Sequence, residues 1–310
     1  MKPFERLPFE KLPDRPRKPH PYFETAAREI VMRSTPFGKL TVHCREWGEG
    51  PPLLLVHGLM TSSYSFRYVI EPLGEHFRVF APDLPGCGRS DKPDDRGYGA
   101  EALSTWLAEL VSALGIEGCS AIGNSLGGYL CMRLALQDKG AFSKLVNIHS
   151  PGFPEPRIHA LHAALSVPRA REALAAWVRN RPLEWAHTNV HYFDETLKSK
   201  EEAREYGAAL ATPEGSRAFV AYLAETLDPR SMAAFVKTLT EMRARAAAFP
   251  IPLLLVYAKQ DPMVSPEIGE KLSALVPSAK MVWLDETSHF AHVDSPERLL
   301  GPVLDFLTTT

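Results

Sequence analysis

The sequence is poor in cysteine, close to neutral in net charge and free of long apolar runs. Its 4 cysteines among 310 residues show no C-x-x-C spacing, so free thiols fit better than a disulfide framework or a common zinc site. Lys and Arg number 35 against 37 Asp and Glu, which excludes the strongly basic balance of proteins that bind nucleic acid or anionic membranes. The N-terminus lacks the apolar core of a secretory signal, and no later stretch resembles a membrane span. We therefore expect a cytoplasmic protein that acts on a small molecule.

A glycine loop for nucleotide binding is also missing. The segment from Gly86 to Ser90 contains two glycines, but it has neither the G-x-G-x-x-G spacing nor the acidic residue that follows in dinucleotide sites. We therefore expect no cofactor and no bound metal.

Residues 1–24 are rich in proline and contain a near-repeat, 4–8 followed by 9–13. Prolines at this density prevent a helix or a central strand, so an extended arm is predicted. Its Phe and Leu side chains would dock on the same chain or on a partner subunit, which makes a homodimer one alternative, and disorder is the other.

Strand and helix patterns alternate over residues 25–150 and 250–310, and the strands are apolar without polar alternation. This pattern predicts an α/β core with a mostly parallel central sheet and helices on both faces. We predict strands over 29–34, 40–47, 53–57, 78–81, 119–122, 145–149, 252–257 and 280–284, and helices over 64–73, 100–114, 125–136, 268–275 and 296–307.

The alternation stops over residues 151–249, which form several helical segments broken at Pro168, Pro182, Pro213 and Pro229. An insertion after the carboxyl end of a strand lies on the side where open α/β sheets bind ligands. We therefore predict a helical cap. Its aromatic residues fit the cap's own core at least as well as a pocket wall; they are Trp177, Trp185, His187, Tyr192, Phe193, Phe219 and Tyr222.

One short motif points to chemistry. Residues 123–127 read Gly-Asn-Ser-Leu-Gly between an apolar strand and a helix, which matches the G-x-S-x-G nucleophile elbow. A side chain at either glycine would collide with the neighbouring strand or helix as the chain reverses. Ser125 would then be exposed at a helix N-terminus, although an ordinary Gly-Ser turn remains the alternative.

A serine nucleophile needs a general base and a carboxylate that orients the base. Asp261 and His289 follow Ser125 in that order, and each comes just after a predicted strand. Asp285, Glu286 and Asp294 are nearby acids and His292 is a nearby imidazole, but His289 is the first histidine after the strand, and Asp294 fits a cap of the last helix ahead of Pro296 better. His57 also ends a strand, and we predict that its ring bonds the loop backbone.

Acyl transfer also needs main-chain N–H donors for the oxyanion. The residue after the nucleophile, Leu126, is predicted to supply one donor. A residue of the loop after Gly58 should supply the other, and Leu59 is preferred over Met60.

These motifs in this order resemble the α/β-hydrolase family over about residues 28–308. The matching segments are His57-Gly58, 83–90, 123–128, Asp261-Pro262 and 289–297. The resemblance is to the capped branch of esterases, epoxide hydrolases, haloalkane dehalogenases and carbon–carbon hydrolases of ring-fission products. Epoxide hydrolases and dehalogenases carry an aspartate at the elbow, whereas this chain has Ser125.

The sequence therefore predicts a serine hydrolase that cleaves carboxylic esters through an acyl-enzyme. Asn124 resembles the carbon–carbon hydrolases, but residues 57–60 lack their glycine- and proline-rich loop and Phe290 stands where they often have tryptophan. Carbon–carbon hydrolase and lactonase are the alternatives within the family. A hydrolase-fold ligand receptor, which keeps a triad but turns over slowly, is the alternative from a different class.

Overall fold

A single sheet of eight strands organises the computed structural model, which describes residues 2–94 and 96–309. The spatial order of the strands is β1-β2-β4-β3-β5-β6-β7-β8; β1 and β2 are antiparallel to their neighbours and the remaining pairs are parallel. The predicted α/β fold with a mostly parallel sheet is confirmed. The strands are β1 Ala26–Ser34, β2 Gly38–Trp47, β3 Pro52–Val56, β4 Arg78–Pro82, β5 Cys119–Asn124, β6 Phe142–Ile148, β7 Leu253–Ala258 and β8 Lys280–Leu284.

Helices cover both faces of this sheet because its central strands are apolar on both sides. Residues 53–56 of β3 are fully buried, and alternate side chains enter two different core clusters. One cluster packs under α2, α3 and α10, and the other under α1 and α12. The helices of this core are α1 Ile70–Gly74, α2 Ala100–Leu114, α3 Leu126–Gln137, α10 Pro266–Leu275, α11 Ala291–Asp294 and α12 Pro296–Thr308.

The predicted helix over 64–73 is wrong as one continuous element. The structure has a 3₁₀ turn, Ser63–Phe66, followed by the short α1. Ser62 accepts a hydrogen bond from the Tyr64 N–H, and the Asp83 carboxylate accepts one from the Ser63 N–H at 2.7 Å. These side-chain acceptors hold a tight turn where the helical pattern of the sequence predicts a regular helix.

Six helices lie between β6 and β7, and we call residues 149–252 the helical insertion. Pro168, Pro182, Pro213 and Pro229 each occupy the first turn of one of these helices, where the missing N–H of proline has no helical partner to lose. The prolines therefore start helices at the predicted interruptions. The six are α4 Pro156–Leu165, α5 Pro168–Asn180, α6 Pro182–Asn189, α7 Lys200–Leu210, α8 Pro213–Ala221 and α9 Pro229–Ala244.

The N-terminal arm docks on the helical insertion of its own chain. The Phe4 N–H donates to the Phe193 carbonyl at 3.1 Å, and the Pro13 carbonyl accepts from the Lys200 N–H at 2.8 Å. Leu12 is buried. The sequence left open whether the arm docks on its own chain, docks on a partner or is disordered, and docking on its own chain is observed. The arm also contains two short 3₁₀ turns, at Phe9–Lys11 and Tyr22–Glu24.

All four cysteines, Cys44, Cys87, Cys119 and Cys131, are buried free thiols, as predicted. Among the described residues, no helix has both the length and the apolar character needed to cross a membrane.

Candidate active site

Ser125 lies at the sharp turn between β5 and α3. Its backbone has φ 53° and ψ −120°, a conformation that L-residues rarely adopt and that marks stored strain. A Cβ at Gly123 would come within 2.5 Å of the Gly128 nitrogen, and one at Gly127 would overlap the Val56 carbonyl. Both glycines are therefore required by close backbone packing, as the motif predicts.

Asp261 and His289 come together from the ends of β7 and β8. The His289 Nδ1 atom is 2.7 Å from Asp261 Oδ2. The other carboxylate oxygen, Oδ1, accepts from the Met263 N–H at 2.7 Å and the Val264 N–H at 2.9 Å. Because Nδ1 donates to the carboxylate, the Nε2 atom of a neutral His289 keeps its lone pair, and this ring lines the same cavity as Ser125.

The charge on Asp261 is stabilised in a buried place. Burial alone would raise the pKa of this carboxyl, but the charge and hydrogen bond of His289 hold the pKa below its usual value. Asp261 therefore stays ionised and can fix the His289 tautomer. Within the described residues the Ser125 hydroxyl makes no hydrogen bond to His289, and such bonds are often long when no substrate is bound.

The residues predicted for the oxyanion hole surround Ser125. Leu59, Met60 and Leu126 all line the cavity that contains Ser125. Among the described groups, no acceptor pairs with the N–H of Leu59 or of Leu126, and Leu126 is the first residue of α3. Met60 has φ 64°, so the loop bends sharply directly after Leu59.

His57 is fully buried below this loop. Its Nδ1 atom is 2.8 Å from the Gly58 carbonyl, and its Nε2 atom accepts from the Leu84 N–H at 2.9 Å. Both ring nitrogens are therefore engaged with main chain, which is the arrangement that the sequence predicts.

Asp294 does not cap α12. Ser295 precedes that helix without a side-chain cap bond, whereas the Asp294 carboxylate accepts from the Ser288 N–H at 2.7 Å and from the Phe193 N–H at 3.0 Å. The expected cap is wrong because these two main-chain donors, one beside His289 and one in the helical insertion, take both oxygens.

The other competitors take no part in the Asp261–His289 hydrogen bond. Asp285 and Glu286 are exposed and pair with Lys259 and Arg298. His292 is fully buried, and neither of its ring nitrogens has a partner among the described residues.

The sequence reasoning missed Asn124 and His149 as neighbours of the pair. Asn124 Nδ2 donates to the His289 carbonyl at 3.1 Å. His149 follows β6 directly, and one of its ring nitrogens lies within 4.8 Å of an Asp261 oxygen and a His289 nitrogen. The sequence did contain a signal for His149, because this polar residue directly follows the buried strand β6, which pairs with the elbow strand β5.

A His-Asp-His group at these distances raises the question of a metal. The Nε2 atom of His149 accepts a hydrogen bond from the Ala258 N–H at 2.6 Å, so the proton of the neutral ring is on Nδ1. Burial lowers the pKa of His149 to about 4. Because one nitrogen is occupied and the other is protonated, His149 has no lone pair for a cation, and these residues fit a proton-transfer site better than a metal site.

The cavity beside Ser125 has a volume of about 390 Å³, which falls in the range of small-molecule pockets. Away from Ser125 and His289, its side chains are apolar apart from Glu155, Arg157 and Asn189. Its apolar lining residues include Leu126, Phe153, Ile158, Leu161, Leu223, Leu227, Met232, Met263, Val264, Ile268 and Phe290.

Only two of the seven aromatic residues considered for the pocket line this cavity, Trp185 and Phe219. Tyr192 and Tyr222 are buried elsewhere, while Trp177 is 61% exposed and contacts Trp185 edge to face. A helical pattern cannot separate these cases, because the helices present aromatic side chains on several sides.

Comparison with known proteins gives the same fold. The alpha/beta hydrolase fold family model matches residues 51–296. The uncharacterized hydrolase YugF of Bacillus subtilis (strain 168) is 26% identical over 258 residues, which are 82% of this chain and 89% of that protein.

Two solved structures illustrate the range of similar proteins. A thermophilic esterase from Thermogutta terrifontis superposes with a TM-score of 0.71 at 24% identity, over 91% of this chain and 98% of the other. The meta-cleavage product hydrolase from Pseudomonas fluorescens IP01 gives 0.68 at 22% identity, over 92% and 98%. These findings support a hydrolase, and the family match over most of the chain shows that this protein belongs to the α/β-hydrolase family.

Proposed function

We propose that this protein is a serine hydrolase that cleaves carboxylic esters through an acyl-enzyme. The observation that carries the proposal is the position of Ser125, which lies at a strained strand-to-helix turn in the same apolar cavity as the Asp261–His289 pair. A reactive serine, a base with a free Nε2 atom and a buried carboxylate are the three groups that acyl transfer needs.

In the first half of the reaction, His289 Nε2 takes the Ser125 proton while Oγ attacks the ester carbonyl. The N–H groups of Leu59 and Leu126 stabilise the oxyanion of the tetrahedral intermediate. That intermediate collapses, the bond to the alkoxy group breaks, and His289 returns the proton to the leaving alcohol.

In the second half, water attacks the acyl-enzyme and gives its proton to His289. Collapse of the second intermediate releases the acid and returns the proton to Ser125. Asp261 stays ionised throughout and stabilises the imidazolium that forms twice in each turnover.

The identity of the nucleophile favours acyl transfer over dehalogenation or epoxide opening. A carboxylate nucleophile displaces a halide or opens an epoxide to give an ester on the enzyme, whereas a serine oxygen is suited to a carbonyl carbon. Ser125 therefore favours esters over the substrates of the dehalogenase-like and epoxide-hydrolase-like members of the family.

The helical insertion would act as a cap that selects the substrate. Side chains from α4, α6, α8 and α9 line the cavity, among them Ile158, Trp185, Phe219 and Met232. Since this lining is mainly apolar, we propose an ester whose buried portion is uncharged and hydrophobic.

Asn124 favours a second candidate, hydrolysis of a carbon–carbon bond in a ring-fission diketone. Asn124 resembles the residue before the nucleophile in those hydrolases, and its side chain donates to the main chain of His289 at 3.1 Å. A lactone would use the same serine chemistry with the leaving alcohol kept in the product. A ligand receptor would bind in the same cavity with negligible turnover.

The deciding experiment is hydrolysis of p-nitrophenyl esters of increasing acyl length by the wild type and by Ser125→Ala. We expect turnover in the wild type and a loss of about 10⁶-fold in kcat in the variant. Ser143→Ala, at an exposed serine near the start of β6, is the matched control and should keep wild-type turnover. Absence of wild-type turnover on every ester would contradict the proposal, and ring-fission diketones and lactones would then be tested in turn.

A further inference from the structure

His149 occupies a central position behind the candidate catalytic pair. It follows β6, which lies between the elbow strand β5 and the strand β7 that leads to Asp261. Its main-chain N–H donates to the Val256 carbonyl at 2.9 Å. Its φ of 52° lies in the left-handed region, where a non-glycine residue is held only by the surrounding structure.

The ring of His149 has a fixed orientation and a fixed tautomer. The Ala258 N–H donates to its Nε2 atom, so the single proton of the neutral ring lies on Nδ1. His149 is fully buried, and burial disfavours the doubly protonated form. The residue is therefore a neutral N–H donor at any pH where a histidine base can act.

The ring of His149 lies beside the Asp261–His289 pair, with one ring nitrogen within 4.8 Å of an Asp261 oxygen and of a His289 nitrogen. The rings of His149 and His289 are 5.6 Å apart and inclined by 38°. The Nδ1 atom of His149 is buried without a hydrogen bond of good geometry in the described chain, although the main chain of His289 is close enough to interact with the ring.

We propose that His149 is a positioning residue, whose Nδ1–H group holds the Asp261 carboxylate and the His289 main chain in the orientation needed to activate Ser125. This inference rests on the proposed serine mechanism. It goes beyond the three predicted catalytic residues because it assigns a role to a fourth buried side chain that does not touch the substrate cavity.

A fixed N–H dipole behind the pair has a clear physical use. The imidazolium of His289 forms and disappears twice in each turnover. The Asp261 carboxylate must keep the same position through these changes of charge. A dipole that is already oriented in a buried site costs no reorganisation at that moment. A displacement of about 1 Å in such a group costs about 10²-fold in rate.

Two substitutions separate this role from a purely structural one. His149→Gln can place an acceptor near the Nε2 position and keep the bond to the Ala258 N–H, but it loses the donor at the Nδ1 position. His149→Asn can place a donor near the Nδ1 position and lose the Ala258 bond. His149→Gln therefore removes the interaction on the Nδ1 side of the ring, and His149→Asn removes the one on the Nε2 side.

The experiment measures the rate at which a fluorophosphonate labels Ser125, the kcat and KM for an ester, and the midpoint of thermal unfolding. We expect His149→Gln to be near wild type in stability but about 10- to 100-fold slower in labelling and in kcat, with KM within twofold. We expect His149→Asn to be less stable but within a few-fold of the wild-type labelling rate. His292→Phe is the matched control, since its buried ring makes no hydrogen bond in the described chain.

The reverse ranking, with the Asn variant slower than the Gln variant, would overturn the proposal because the rate would then follow stability. Equal labelling of both variants and the wild type would also overturn it. If the Asn variant does not fold, the Gln variant alone decides, because it retains the Ala258 bond.

A readout without turnover separates this inference from the proposed function. The low-field proton resonance of the Asp261–His289 hydrogen bond should shift in His149→Gln and stay in place in His149→Asn and His292→Phe. If the fluorophosphonate does not label Ser125 of the wild type, the proposed serine mechanism is contradicted. If the low-field resonance is unchanged in His149→Gln, the positioning role of His149 is contradicted, whether or not labelling occurs.

Discussion

Two buried acid–base groups in this molecule have similar burial but different surroundings. The first is the Asp261–His289 pair, whose residues are 7% and 1% exposed. The second, which we call the Arg67 cluster, consists of Arg67, Glu202, Tyr192, Tyr206 and Tyr64. Arg67 is fully buried and Glu202 is 3% exposed, and Arg67 Nη2 lies 2.5 Å from Glu202 Oε2.

The two groups differ in what covers their polar atoms. In the Arg67 cluster, Glu202 Oε2 accepts from both Arg67 and the Tyr192 hydroxyl, and the guanidinium lies 4.5 Å from the ring centre of Tyr64. In the Asp261–His289 pair, the ring of His289 reaches a cavity. The first arrangement joins the helical insertion to the core, while the second leaves a base next to a place where a substrate can bind.

The largest expected effect is loss of the carboxylate from the Asp261–His289 pair. Asp261→Asn should lower kcat by about 10⁴-fold, because an amide cannot hold the His289 tautomer that leaves Nε2 free. Steady-state kinetics on the best ester measures this effect. Asp285→Asn, at an exposed acid nearby, is the control and should have kcat within twofold of the wild type. Equal activity of both variants would remove Asp261 from the mechanism.

The corresponding change in the Arg67 cluster should affect stability first. Glu202→Leu leaves the charge of Arg67 buried without its partner, and the free energy of unfolding should fall by about 3–5 kcal/mol. Urea denaturation measures this loss. Glu184→Leu, at an exposed pair with Arg181, should cost less than about 1 kcal/mol.

Addition of Arg67→Met to Glu202→Leu should recover much of that stability, because no unpaired charge remains in the interior. A double variant no more stable than Glu202→Leu would show that the packing of Arg67 on the tyrosine rings, rather than its charge, carries the interaction.

The comparison extends to two tryptophans of the helical insertion. Trp185 lines the cavity, and Trp177, which does not line it, contacts Trp185 edge to face with ring centres 4.8 Å apart. Trp185→Ala should lower kcat/KM for the longest acyl chains by about 10- to 100-fold, as expected for the loss of apolar contact in a pocket. Trp177→Ala should change it by less than threefold. Equal effects on long and short esters would show that Trp185 does not contact the acyl group.

The last expected effect is the pH dependence of stability that comes from Asp294, which joins the His289 loop to the helical insertion. Burial raises the pKa of Asp294 to about 7, so the folded protein keeps this proton at pH values where the unfolded chain has lost it. The stabilisation from Asp294 is therefore complete below about pH 4 and is lost as pH rises through 7.

Urea denaturation of the wild type and Asp294→Asn at several pH values tests this expectation. The stability of the wild type relative to the variant should fall between pH 4 and 7, by at most about 1.4 kcal/mol for each pH unit, and should be constant above pH 8. A difference that does not change with pH would show that folding leaves the pKa of Asp294 unchanged.

Much of the core could be predicted from the sequence because its signals are local. Continuous apolar runs predict buried parallel strands, and all eight predicted strands overlap observed ones by at least four residues, as at 280–284. The glycines around Ser125 and the order of Asp261 and His289 depend on strand ends, which the same runs define. The positions of these residues depend on the strand or turn directly next to them in the sequence.

The sequence could not assign the contacts of residues whose partners are distant in the chain. Asp294 looks like a helix cap because it precedes Pro296, but its actual donors are the main chains of Ser288 and Phe193. The helix predicted over 64–73 breaks in the same way, since an acceptor from Asp83 replaces its regular first turn.

By itself, then, the sequence determined the α/β core, the elbow at Ser125 and the order of the candidate acid and base, because apolar periodicity and glycine sterics act over a few residues. The tertiary structure alone decided that the N-terminal arm lies on the helical insertion, that Trp185 rather than Trp177 reaches the cavity, and that His149 stands behind the Asp261–His289 pair. Those outcomes depend on which distant surfaces meet when the apolar faces are buried, and local pattern carries no information about that choice.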